Sequence, residues 1–231
     1  MIPLRDDQPR FTTPYVNYFL IALNLLIYFF QATLDPESGR ILEVQLGFIP
    51  AHVTGLLNGT GHLDLASVVL PFLTSMFLHA TWFHVLGNML FLWIFGDNIE
   101  DHMGHARYLG FYLLSGIAAA AAEVLLTPYL NVPTVGASGA IAGVLGAYLV
   151  LYPRARVLTW FPPIFLFYLP AWILLGGWFA LQFLSGLLPS SDAHNHDRNI
   201  AFWAHVGGFV AGILLVKLLP QRPRRYRYGT W

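Results

Sequence analysis

Six apolar stretches dominate the chain, near residues 15–34, 80–96, 106–127, 137–152, 164–188 and 200–219. A hydrocarbon core about 30 Å thick is crossed by about 20 helical residues rising 1.5 Å each. Most of the six meet that length. Only 10% of the 231 residues are charged, against roughly 25% in a soluble domain. Mean hydropathy is +0.58. The expected fold class is therefore all-α, a polytopic membrane protein with six transmembrane helices. The first run, Val16 to Leu34, is long and aromatic and has no small-residue cleavage site after it, so it reads as a retained membrane helix.

Orientation follows from the basic residues. Six crossings put both termini on one side. That side holds Arg5, Arg10, Arg107, Arg154, Arg156, Lys217, Arg222, Arg224, Arg225 and Arg227, while the other holds only Arg40 and Arg198. Ten against two predicts cytoplasmic termini. The expected organisation is a cytoplasmic tail over 1–14, a six-helix membrane domain over 15–219, and a basic cytoplasmic tail over 220–231. That last tail is suited to anionic headgroups of the lipid bilayer. The long connection 35–79 carries two apolar pieces too short to span, which fit short interfacial segments. Formal net charge is zero and cysteine is absent. These exclude a basic footprint for nucleic acid, disulfides, thiolate metal sites and a cysteine nucleophile. His194 and His196 lack a further ligand set, so neither a metal nor a cofactor is expected.

A polar side chain inside a membrane helix is a functional hypothesis by default. His79, His84 and Asn88 open segment two, Glu123 sits late in segment three, Ser138 opens segment four, and His205 lies early in segment six. Asn24 and Gln182 stand alone. Segments two, four and six run in the same direction, so His84, Asn88, Ser138 and His205 share one depth below the outer surface. Segment four is short: Ser138 to Tyr152 spans only about 22 Å. Arg154 and Arg156 pin its end at the cytoplasmic face, which sinks Ser138 into the membrane and draws "NVPTVGA" in after it. Irregular backbone at that depth needs protein or water around it, which predicts a cavity open to the outer side. Gly139, Gly143 and Ala147 in segment four match Ala204, Gly208 and Gly212 in segment six. Such small-residue faces let helices approach closely, which brings His205 within reach of Ser138.

A serine hydroxyl becomes a nucleophile when a base within hydrogen-bond reach takes its proton. His205 is the candidate base. No Asp or Glu lies at that depth in segments two, four or six, so the expectation is a Ser-His dyad rather than a triad. His84 and Asn88, four apart on one helix face, and the backbone N–H of Ser138 at a helix N-terminus are candidate oxyanion donors. Taken singly, Ser138 reads as a packing serine and Asn88 as interhelical glue. Their joint placement with two histidines is what those readings leave unexplained. Glu123 has no assigned role.

The pieces "HATWFHVLGN", "GASG" and "AHVGGFVAG", in this order and spacing, resemble the rhomboid family of intramembrane serine proteases, in its prokaryotic-type six-helix form. The resemblance runs over roughly 15–219. It implies Ser138 as nucleophile, His205 as general base, and His84 and Asn88 as oxyanion or substrate-orienting groups. It also implies a structural role for His79 and a loop-shaping role for Gly136, with Gly139 supporting. Single-pass transmembrane proteins are the implied substrates, and the plasma (inner) membrane of a prokaryote the implied location. Substrate entry would involve segment 164–188 and part of 189–199. The Trp-Arg pair that many rhomboids carry in the first loop is not found between 35 and 79. Two other readings are a rhomboid-like protein that binds membrane clients without cutting them, and a transporter relaying protons through His84, Glu123 and His205. The first should lack the serine or the histidine. The second predicts an inverted repeat, which the sequence does not show.

Overall fold

Proline and glycine set the helix boundaries that the apolar pattern leaves open. The structure is a computed structural model that describes residues 1–60, 64–188 and 201–219. Helix α1 spans Tyr15–Gln31. The first connection holds α2 (Pro36–Leu46), α3 (Pro50–Leu57), α4 (Leu65–Val69) and α5 (Pro71–Thr74), then a 3-10 turn at Ser75–Phe77. The Asp35 side chain starts α2 by accepting from the N–H groups of Glu37 and Ser38, both at 3.1 Å. Helix α6 spans Trp82–Met103 and begins at Thr81, whose hydroxyl oxygen accepts from the His84 N–H at 3.1 Å. It runs past the residue 96 expected from hydropathy, and stops at Gly104, which takes a φ of 85° between α6 and α7. Helix α7 is His105–Leu126, α8 is Ser138–Leu151, α9 is Ala171–Leu187 and α10 is Phe202–Leu218.

The fifth apolar segment differs from the reading as one helix over 164–188. Its first residues form strand β3 (Phe165–Pro170), paired antiparallel with β2 (Arg156–Phe161). Aromatic runs suit a pleated strand. Pro162 and Pro163 bar a helix through the turn, and Pro170 sits at the N-cap of α9. The first residues contribute a strand as well: β1 (Ile2–Asp6) pairs antiparallel with β2, giving the order β1-β2-β3. The Asp6 carboxylate accepts from Asn98 Nδ2 of α6 at 3.0 Å and from the Tyr148 hydroxyl of α8. The sheet is thereby fastened to the ends of two helices. The expected basic tail 220–231 and the loop 189–200 lie outside the described residues.

Helices α7, α8 and α10 form the centre, and α8 is its most enclosed element, with every residue from Gly139 to Tyr148 buried. Glycine makes this possible. A Cβ on Gly208 would lie 2.0 Å from the Gly139 carbonyl oxygen, and one on Gly212 would lie 2.0 Å from that of Gly143. The two backbones therefore touch in the register that the small-residue spacing predicts. On the outside the pattern is inverted. Leu26 is 68% exposed and Leu218 77%, while Asn17 and Glu100 are fully buried. Surfaces so rich in large apolar groups are shunned in water. Among the described residues, one helix, α7, is long and apolar enough by length and composition to cross a membrane. A second qualifies if Leu65–Phe77 and Trp82–Met103, bent by 76°, count as one span. Helices α1, α8, α9 and α10 are shorter apolar helices.

Candidate active site

Ser138 is the first residue of α8. The loop leading to it is held from the first connection. Phe48 and Thr134 exchange two backbone hydrogen bonds, at 2.9 and 2.7 Å, and the Gly136 N–H donates to the Ser75 carbonyl at 2.9 Å. Gly136 has a φ of 131°, a conformation that glycine adopts without strain. Its missing side chain also makes room, because a Cβ there would lie 2.7 Å from His84 Cε1 and 3.6 Å from Ser138 Oγ. A side chain at Gly136 would therefore collide with the His84 imidazole. No side chain caps α8. The Ser138 N–H therefore has no partner within its helix, which leaves a donor at the positive end of the helix dipole.

His205 reaches Ser138 from α10, its Nε2 lying 2.7 Å from Ser138 Oγ. Three groups fix the histidine. Glu123 of α7 accepts from the Ala204 N–H at 2.6 Å and from the Thr127 hydroxyl at 3.2 Å. It acts as a borrowed cap on the first turn of α10, satisfying a donor that would otherwise be orphaned. The Gln182 carbonyl oxygen of α9 lies 2.8 Å from His205 Nδ1. The Trp178 ring, one turn earlier on α9, packs at 5.7 Å and 41° to the imidazole. Glu123, Gly136, Ser138 and Ala204 line one cleft.

His84, Asn88 and His79 form a second cluster on the near side. Asn88 Nδ2 lies 2.9 Å from His79 Nε2, and the two histidine rings meet edge to face at 5.1 Å. His79 is anchored to α1, where the Gln31 side chain accepts from its backbone N–H at 3.0 Å. The His84 ring lies against Gly136, whereas the Asn88 amide nitrogen is engaged by His79. Gly139 faces Ala119 of α7, to which a Cβ would approach within 2.7 Å. It is both a packing position and part of the lining of the cleft. The sequence reading missed Gln182 and Trp178 as neighbours of the histidine. The available signal was one amide in the otherwise apolar run "GGWFALQFL", four residues after a tryptophan.

The rhomboid domain model matches residues 66–222 of the chain. Rhomboid protein 1, mitochondrial, of Saccharomyces cerevisiae is 29% identical over 225 residues, covering 93% of this chain and 58% of that protein. RHOMBOID-like protein 1 of Arabidopsis thaliana is 34% identical over 176 residues, covering 73% of this chain and 40% of that protein. Rhomboid protease GluP of Bacillus subtilis is 34% identical over 145 residues, covering 63% of this chain and 25% of that protein. The chain thus spans little more than half the length of these relatives at most.

Proposed function

The chain belongs to the rhomboid family, whose members are integral membrane proteins, and from that premise we propose that it is an intramembrane serine endopeptidase acting on single-pass transmembrane proteins. The observation that carries the reading is the 2.7 Å contact between His205 Nε2 and Ser138 Oγ. In this mechanism His205 takes the hydroxyl proton as Ser138 Oγ attacks the scissile carbonyl. The oxyanion is met by the Ser138 N–H and the His84 imidazole, with Asn88 acting through the His79 cluster to orient substrate. The imidazolium then protonates the leaving amine, and water from the cleft hydrolyses the acyl-serine. The non-cutting alternative has no use for a serine and a histidine held in this geometry.

In the same reading α1, α6, α7, α8, α9 and α10 are the six crossings of a domain over 15–219, with both termini cytoplasmic and the cleft open to the outer side. The outward apolar side chains of these helices support it. So does the shortness of α8, whose 14 residues rise about 21 Å, sinking Ser138 below the surface. The relatives named above include mitochondrial and bacterial proteins; a prokaryotic plasma membrane is the proposed location here. The test is incubation of the purified protein with a panel of single-pass membrane proteins. Wild type should cut and Ser138→Ala should not. Cleavage that survives in Ser138→Ala would overturn the assignment.

A further inference from the structure

We propose that Gln182 is the positioning residue of the histidine, the third member of a Ser-His-Gln relay that α9 completes. The inference rests on the protease reading above. The His205 ring has two nitrogens, and both are engaged: Nε2 at 2.7 Å from Ser138 Oγ and Nδ1 at 2.8 Å from the Gln182 carbonyl oxygen. A general base needs a bare Nε2. In a neutral imidazole that requires the proton on Nδ1. The amide oxygen of Gln182 only accepts, so it selects the Nδ1–H tautomer and leaves Nε2 to receive the serine proton. This is the tautomer- and orientation-fixing service that a carboxylate gives in a Ser-His-Asp site. What a neutral amide omits is the charge that would stabilise the imidazolium.

The arrangement is built into α9 rather than met by chance. Trp178 and Gln182 are four residues apart, hence on one helix face. Trp178 packs on the His205 ring while Gln182 binds its far nitrogen. Phe179, next to Trp178, stacks on Phe209 at 4.7 Å, one turn along α10 from His205. These contacts hold the face of α9 against the histidine. Serine therefore comes from α8, the base from α10 and the base's orientation from α9. Displacing α9 would leave Ser138 and His205 in place while releasing the tautomer.

The experiment compares Gln182→Met and Gln182→Glu with wild type, using a cleavable transmembrane substrate and Ser138→Ala as the blank. Methionine keeps the length and packing and removes the acceptor; glutamate keeps the acceptor and adds charge. The expected result is a fall of about 10- to 100-fold in kcat for Gln182→Met with KM little changed. Gln182→Glu should retain cleavage at neutral pH, with the acid limb of its pH profile moved up by about one unit or more, because a carboxylate beside Nδ1–H stabilises the imidazolium. A packing role predicts the opposite order, and an active Gln182→Met with an inactive Gln182→Glu would overturn the proposal. Histidine-selective 15N NMR of the wild type tests it without any variant. Nδ1 should carry the proton at neutral pH, and a spectrum with the proton on Nε2 would overturn it. Cleavage by Ser138→Ala would instead bring down the protease reading itself.

Discussion

Helix α10 meets its two neighbours in opposite ways. Against α8 the contact is backbone to backbone, with the Gly139 and Gly143 carbonyls filling the space where side chains of Gly208 and Gly212 would be. Against α9 it is made by rings and one hydrogen bond, and much of α9 faces outward, with Leu181 and Leu184 each 57% exposed. The first contact sets how far Ser138 lies from His205 and tolerates almost no change. The second sets how the imidazole is turned and is made of side chains that can let go. In the protease reading, distance and orientation, the two requirements of a nucleophile-base pair, are thus assigned to different seams.

The sharpest way to break the comparison is one substitution made on both sides. Gly208→Ala should abolish cleavage and lower the thermal midpoint in detergent, since overpacking a closed contact costs about 1–3 kcal/mol or more. Gly176→Ala in α9, where an added Cβ meets nothing within 4 Å, should leave the midpoint unchanged or raise stability by about 0.5–1 kcal/mol, as glycine is a poor helix former. Equal losses in both would dissolve the distinction. Trp178→Ala should cost less than Gly208→Ala, about three- to tenfold in rate with the fold retained, because the hydrogen bond from His205 to Gln182 survives it. A loss as large as that of Ser138→Ala would mean that the ring, not the amide, orients the base.

The smallest effect belongs to the sheet, at the end of α8 far from Ser138. Tyr148 stands ten residues along the helix, about 15 Å away. Burial pushes the Asp6 carboxyl up to about 6, against a lowering pull from the Tyr148 hydroxyl. A raised carboxyl binds its proton more tightly in the folded state. Its stabilisation is therefore present below about pH 4 and lost as pH rises through about 6. The thermal midpoint should be higher at pH 5 than at pH 7.5 in wild type, and Asp6→Asn should flatten that difference with cleavage unchanged. A slope that persists in Asp6→Asn would assign it to other groups.

The seam between α8 and α10 was legible in the sequence because small-residue spacing is a direct imprint of backbone approach. Glu123 was visible as an anomaly but not as a cap, since its partner is a backbone N–H on a helix far along the chain. Gln182 looked isolated for the same reason: its partner is a ring nitrogen 23 residues on. Hydropathy joined β3 to α9 because a strand of aromatics and a helix of leucines score alike. The prolines at 162, 163 and 170 carried the distinction. The four-residue spacing put Asn88 on one helix face with His84. Its engagement by His79 depended on where the 3-10 turn at Ser75–Phe77 set that ring down.

The most direct test of the central claim is covalent labelling of the detergent-solubilised protein with a fluorophosphonate, read by peptide mass spectrometry. The 2.7 Å pair predicts a single adduct on Ser138 in wild type and none in Ser138→Ala. In His205→Ala, which keeps the hydroxyl but removes its base, labelling should slow by orders of magnitude. An adduct on another residue, or labelling of His205→Ala at the wild-type rate, would contradict the account.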